Sequence, residues 1–300
     1  MRVKFTKKDN RYMNFFRILF SPITGLLGFI QKYFKSLIFL LILFFLFSNA
    51  DPEGLRQPNL MKIHLFGPIF ESDTVLERIK EAEKKHIKGV LFVVDSPGGA
   101  VPPSIEIAEA LKRLKEKKPV VAYAAGTMAS GSYYASIYCD KIIANRGSMI
   151  GSIGVIMQGY NVSEIMEKVG LKEQTISRGK YKQMGTMTRE WNVDEKAELD
   201  TLIGDTYEMF VSDVAAARGL DVNNSEAFAD AHVFSAARAM RVGLVDELGT
   251  LYDAEKLVET NSKVDAPVWS SESRMDKFLS KVVQESSSKI FSLFSGLKAY

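Results

Sequence analysis

Three hundred residues with 46% hydrophobic content can bury a sizeable core, in one large domain or two small ones. A single cysteine, Cys139, excludes an internal disulfide framework and any multi-cysteine metal site, and reads as a buried structural thiol. The net charge of +3 is uneven: residues 1–35 hold eight Lys and Arg residues against Asp9 alone, so the remaining body is mildly acidic and lacks the electrostatic footprint of a nucleic-acid binder.

The basic leader, 1–35, is expected to be cytoplasmic or interfacial. Its apolar stretch "FFRILFSPITGLLGFI" is interrupted by Arg17, Pro22, Gly25 and Gly28, which suits a membrane surface better than a span. Residues 36–50 are the predicted transmembrane anchor, built on "SLIFLLILFFLF". That run is shorter than the ~20 apolar residues a spanning helix needs, but it extends backwards through Tyr33 and Phe34, with Lys32 and Lys35 snorkelling. Positive charge before it and "NADPE" after it place the N-terminus in the cytoplasm and the body on the far side of a cytoplasmic membrane. Ser48 and Ala50 also suit the cleavage site of a signal peptide, but the charged leader is unusually long for that class. A linker, 51–58, leads to a folded domain at 59–260.

Strands and helices then alternate. "LMKIHLFGPI" reads as a strand, "SDTVLERIKEAEKK" as a helix with a Ser or Asp cap, and "KGVLFVVDSP" as a buried strand ending in a turn. "PPSIEIAEALKRLKEK" is an amphipathic helix, "PVVAYAAG" the next strand, and a helix begins near Ser130. "KIIANRG" is a strand, "SEIMEKVG" a helix, and "EQTIS" a strand before the loop "RGKYKQMGTM". A long helix runs from about Val193 to Arg218, and two short helices flank a Gly-rich turn in "FSAARAMRVGLVDELGTLYDAEKLV". This alternation predicts an α/β fold with a largely parallel sheet. The tail, 261–300, carries Phe278, Leu279, Val282, Val283, Ile290, Phe291, Phe294 and Leu297 at helical spacing. It suits a surface helix, an oligomer contact or a return to the membrane.

Chemistry concentrates in "AAGTMASGSYYASIYCDK". Ser130 stands where a strand gives way to a helix, so the Gly131 amide and the helix dipole favour an oxyanion there. An ordinary Ser N-cap explains the same letters. In "VVDSPGGAV" the turn at Pro97-Gly98-Gly99 either supplies a second amide or merely joins strand to helix. Three histidines, His64, His86 and His232, fall in bland contexts, although triad partners are distant in sequence and spacing does not exclude them. Lysine is the other base: "ISRGKYKQMG" puts Arg178, Lys180 and Lys182 in one loop. Making an amine neutral near pH 7 costs roughly 4 kcal/mol relative to water, which only a dry, acid-free site provides. No acid lies between Tyr181 and Met187, and Ser152 in "MIGSIGV" is a small hydroxyl able to orient an amine.

"DSPGG", "ASGSYYAS", "CDKIIANRGSMIGSIGV" and "SRGKYKQMG" occur together and in that order, followed by "MTREW", "ARGL" and "VFSAARAMRVGLVDELG". Over roughly residues 58–258 the chain resembles the S49 family of membrane-anchored serine–lysine proteases, the bacterial signal peptide peptidase A group, in its short form. The resemblance implies a ClpP/crotonase-type spiral of strand–strand–helix units. It implies Ser130 as nucleophile, Lys182 as general base, Ser152 orienting the lysine, and Gly99 and Gly131 as backbone oxyanion donors, with no cofactor or metal. Expected partners are cleaved signal peptides as substrates, membrane lipid, and further copies of the chain in a ring. Two departures stand out: Ser132 follows Gly131 where the family pattern has glycine, which raises the question of which serine attacks. "KQMGTM" also lacks the usual acidic residue and proline. The competing functions are an inactive membrane scaffold and a crotonase-like acyl-CoA enzyme, the latter at odds with an extracytoplasmic body.

Overall fold

The computed structural model describes residue 29, residues 31–41 and residues 57–270. The chain divides into two units, Met1–Gln57 and Pro58–Tyr300. In the first, residues 31–41 are helical and exposed. The predicted anchor enters the described residues only at 36–41; Ser48, Ala50 and the rest of it lie outside them, as does the tail beyond residue 270. Among the described residues no helix is long and apolar enough to cross a membrane.

The second unit is a seven-stranded sheet flanked by helices. Strands β1 (Leu60–Phe66), β2 (Gly89–Ser96), β3 (Val120–Ala129), β4 (Lys141–Ala144) and β7 (Glu247–Leu248) lie side by side and parallel. β5 (Met149–Gly151) pairs parallel with the far end of β3 and antiparallel with β6 (Val233–Ser235). Besides β2, β3 therefore serves two further partners: Val121 to Ala124 pair with β4, and Thr127 to Ala129 pair with β5. The helices are α1 (Asp73–Ala82), α2 (Val101–Lys115), α3 (Gly131–Ser136), α4 (Ser163–Lys168), α5 (Val193–Arg218), α6 (Ala236–Arg241) and α7 (Leu251–Asn261).

The sheet is buried on both faces, which is why β2 reads as the unbroken apolar run "VLFVV". Val90, Phe92 and Val94 point into the larger core with Ile107, Leu111 and Tyr133. Leu91 and Val93 point the other way, with Val121, Tyr123 and Ile143, where Ala254 and Val258 of α7 cover them. Each fully buried large side chain contributes about 1.5–3 kcal/mol. The outer edge of β1 is paired as well: the Asn59 and Leu60 amides donate to Val268 O, and the Ser270 amide donates to Leu60 O.

The predicted α/β class is thus observed, with one antiparallel pair making the sheet mixed. Two expectations change. The segment "EQTIS" forms no strand; residues 173–177 are exposed and unpaired in the sheet, so β-branched content without burial did not suffice. The first strand ends at Phe66, because Gly67 takes a left-handed turn with φ 70°. Strands β5, β6 and β7, of two or three residues, are too short for a periodic signal.

Candidate active site

The turns that leave the C-terminal ends of β2, β3 and β5 converge at one end of the sheet. Open α/β sheets bind ligands at such ends. Ser130 joins β3 to α3 with φ 52° and ψ −125°, outside the favoured regions for a side chain. Strain of this kind costs on the order of 1–3 kcal/mol and persists only where neighbours impose it. Here the Ser130 amide donates to Gly151 O at 2.7 Å, and Ser130 O accepts from the Tyr134 amide at 3.0 Å. Its side chain makes no capping bond to α3, so the hydroxyl is not occupied as an ordinary N-cap.

The Pro97-Gly98-Gly99 turn packs directly against Ser130. A Cβ on Gly98 would lie 2.6 Å from Gly131 N and 2.8 Å from Ser130 Cβ; only glycine permits this approach. On the turn's other side, the Ile69 amide donates to Gly98 O at 2.8 Å and the Ala100 amide donates to Ile69 O at 2.7 Å. That parallel bridge brackets Gly99 and leaves its N–H facing away from Ile69. Gly131 begins α3, where an amide has no partner within the helix. A Cβ on Gly131 would be 3.3 Å from Gly99 N and 2.3 Å from Ser104 Oγ, so the two amides are neighbours in a crowded shell. This pair of donors beside a strained serine suits a developing oxyanion.

A small cleft, open to solvent, adjoins them. Ser130, Gly131 and Gly99 form its polar end; Val101, Ile105, Tyr134, Val155, Met209 and Phe210 give it apolar walls. Sequence reasoning missed the contribution of α5. Phe210 meets the Tyr134 ring edge-on, with centroids 5.1 Å apart, and Tyr134 Oη donates to Asp213 Oδ2 at 2.5 Å. Burial, with the Asp213 hydrogen bond, pushes the Tyr134 phenol well above its ordinary pKa. An aromatic contact and a hydroxyl–carboxylate pair thus pin α5 to α3. The available signal was a tyrosine following the Ser130 turn, but its partner lies 79 residues away.

Ser132 is not a rival nucleophile. It is fully buried, and its Oγ accepts from the Ala129 amide at 2.9 Å while donating to Ser96 O at 2.7 Å or Ala129 O at 2.9 Å. Ser152 follows β5 with φ 50°, and its amide donates to His232 O at 2.7 Å. It is therefore tied to the strand whose Gly151 carbonyl holds Ser130. None of the three histidines lines the cleft. Cys139 is buried, which pushes its thiol up to about 12 and leaves it inert at neutral pH.

Lys182 does not line the cleft. It lies in a turn where its amide donates to Gly179 O at 3.3 Å, and every residue from 171 to 182 is exposed. Lys180, its neighbour, pairs with Asp194 at 2.8 Å. The loop is fixed at its downstream end. Trp191 Nε1 donates to Thr186 O at 2.7 Å. Arg189 grips Glu195 through two bonds of 2.8 and 2.7 Å, and Glu195 and Asn192 cap α5 reciprocally. The Arg189 bonds, with the Asn192 amide, hold the buried Glu195 carboxyl down at about 2. One chain therefore assembles Ser130, Gly99 and Gly131 beside the Ser152 strand, while Lys182 is exposed and absent from the cleft lining.

Comparison with known proteins gives this geometry a context. A sequence model of peptidase family S49 matches residues 112–265. The "Putative protease slr0021" of Synechocystis sp. is 42% identical over 191 residues, covering 64% of this chain and 69% of that protein. The "Putative signal peptide peptidase SppA" of Enterococcus faecium is 36% identical over 197 residues, covering 65% of this chain and 57% of that protein. Among solved structures, a lysine-to-alanine mutant of the 1510-N membrane-bound stomatin-specific protease, in complex with a substrate peptide, superposes with a TM-score of 0.51 at 16% identity. That match covers 76% of this chain and 99% of the other. At that identity the likeness concerns the fold alone.

Proposed function

The chain belongs to peptidase family S49 and is a serine protease, and we propose that Ser130 and Lys182 form its catalytic dyad, with the lysine supplied by a second copy. The observation that carries this reading is the strained Ser130 turn facing two convergent amides. Ser130 Oγ attacks a peptide carbonyl and forms the C–O bond of a tetrahedral intermediate. The Gly99 and Gly131 amides take the negative charge on the former carbonyl oxygen. A neutral Lys182 amine accepts the hydroxyl proton, then passes it to the leaving amine as the C–N bond breaks. Water, deprotonated by the same amine, releases the acyl group. Ser152 orients that amine.

A second copy is invoked because a neutral amine needs dry surroundings, and Lys182 has none within its own chain. The segment that carries it displays apolar side chains suited to a protein surface: Ile176 is fully exposed and Ile156 is 82% exposed. Docking this segment near the Ser130 cleft of a neighbour would bury those side chains and dry the amine together. Head-to-tail repetition of such a contact closes a ring.

The further reading is a single-pass protein of the cytoplasmic membrane. Its basic leader is cytoplasmic, residues 36–50 meet membrane lipid, and the catalytic body, on a ClpP-like spiral, is extracytoplasmic. Its substrates are apolar peptides such as signal peptides left after export. The apolar cleft walls and the name carried by the Enterococcus relative support that substrate class. The test is mass spectrometry after reaction with a serine-directed peptidyl phosphonate. An adduct on Ser130, lost in Lys182→Ala, supports the dyad; modification of another serine removes it.

A further inference from the structure

The buried hydroxyl of Ser132 joins the two segments that carry the oxyanion amides. Strands β2 and β3 run in register from Val90 to Val94, then slip, so that Ser96 sits opposite Met128. Asp95 fills part of the slip by accepting the Thr127 amide at 2.8 Å. Ser132 Oγ fills the rest. It accepts the Ala129 amide at 2.9 Å, on the residue before the nucleophile, and donates to Ser96 O at 2.7 Å, the residue before the Pro97-Gly98-Gly99 turn. Ala129 O, at 2.9 Å, competes for the same proton. Ser96 Oγ in turn accepts the Gly98 amide at 3.2 Å. A continuous path of hydrogen bonds thus runs from the Ser130 turn to the Gly99 turn, with no exposed surface at Ser132 or Ser96.

Resting on the reading of Ser130 as nucleophile and of Gly99 and Gly131 as oxyanion donors, we infer that Ser132 is a positioning residue: its hydroxyl sets the separation of those two amides. The reasoning is geometric. The two turns approach closely enough that a single Cβ would clash, yet they belong to different strands whose ladder is irregular at this level. Ser132 provides side-chain hydrogen bonds to both sides at the level of the slip. Without it the buried Ala129 amide and Ser96 carbonyl lose their side-chain partner, only the irregular backbone ladder ties the two turns together, and the Gly99 turn is freer to drift. Oxyanion donors act only when held at the position the charge will occupy, so drift reduces transition-state stabilisation more than substrate binding.

The test uses the purified full chain and a fluorogenic peptide. Ser132→Ala should lower kcat by about 10- to 100-fold, with KM changed less than about twofold. The control is Ser136→Ala, which deletes an equally buried hydroxyl one turn along α3, bonded at 2.9 Å to Ser132 O and not to the Gly99 turn. It should lower the thermal midpoint comparably and leave kcat of the folded protein unchanged. Ser132→Cys, nearly isosteric with a weaker donor, should fall between parent and Ser132→Ala, and carries the test if Ser132→Ala does not fold. Equal kcat in parent and variants, or an equal loss in Ser136→Ala, overturns the inference. Phosphonate mapping on the parent separates this from failure of the underlying reading: an adduct on Ser130 with unchanged variant kcat removes only the role of Ser132. An adduct on Ser132 itself removes both.

Discussion

The end of the sheet around Ser130 and the stretch from residue 171 to 182 obey opposite rules. At Ser130 nearly everything is enclosed: Tyr133, Ser132, Ser96 and Ala124 are buried, and the strained backbone is tied down by Gly151 and Tyr134. From residue 171 to 182 every residue is exposed, and α4 upstream contains no buried residue. The first region is complete as one chain folds. The second has the composition of a contact surface, with apolar groups in water and firm anchoring only at the Trp191–Glu195 end. A catalytic hydroxyl needs rigid donors, whereas an amine base needs removal from water. The chain meets the first need by itself; on the proposed reading, a second copy meets the second.

That contrast can be broken most sharply at the nucleophile. Ser130→Ala should reduce peptide cleavage on the order of 10⁴-fold, with an unchanged fold by circular dichroism. Lys182→Ala and Lys182→Arg should be equally inactive, because arginine remains charged. Gly131→Ala comes next. Its new methyl would sit 2.3 Å from Ser104 Oγ, displacing the amide and lowering kcat by about 10²–10³-fold. Tyr134→Phe probes the cleft wall. Losing the bond to Asp213 should cost about 1 kcal/mol in urea unfolding, and should raise KM more than it lowers kcat.

The smallest effect is expected in acid. The Glu195 carboxyl is depressed to about 2 by Arg189 and the Asn192 amide, so its contribution is complete above the ordinary carboxylate range. It is lost as pH falls through about 2. Trp191 fluorescence should report that loss in an acid titration, with Trp191→Phe correcting for Trp269. Arg189→Ala should move the transition towards the ordinary glutamate range; an unmoved transition would detach Arg189 from the cap.

Much of the enclosed region was legible in the letters. "VLFVVDSPGG" announces a strand buried on both faces followed by a tight turn, and the small residues from Ala124 to Ser132 announce another. Physical pattern alone left Ser130 between nucleophile and helix cap. The φ of 52° and the absent capping bond favour the former. The role of α5 was not legible, because Thr206, Met209 and Phe210 interrupt a mixed helix surface and meet Tyr134 only through the fold. The family pattern singled out Lys182, but its surroundings follow from no local rule: "EQTISRGKYKQ" looks like strand and loop, and its side chains find no core within the chain. Ser132, at first a rival for Ser130, owes its role to a register slip that no single strand pattern reveals.

The division between the two regions is tested most directly by mixing. Ser130→Ala and Lys182→Ala proteins, each inactive alone, are dissociated, combined in equal amounts and reassembled, and peptide cleavage is measured. If the amine of one copy serves the hydroxyl of the next, about one site in four regains both groups, and activity returns to roughly that fraction of the parent. A mixture as inactive as its components, in assemblies shown by mass spectrometry to contain both chains, would contradict a shared site.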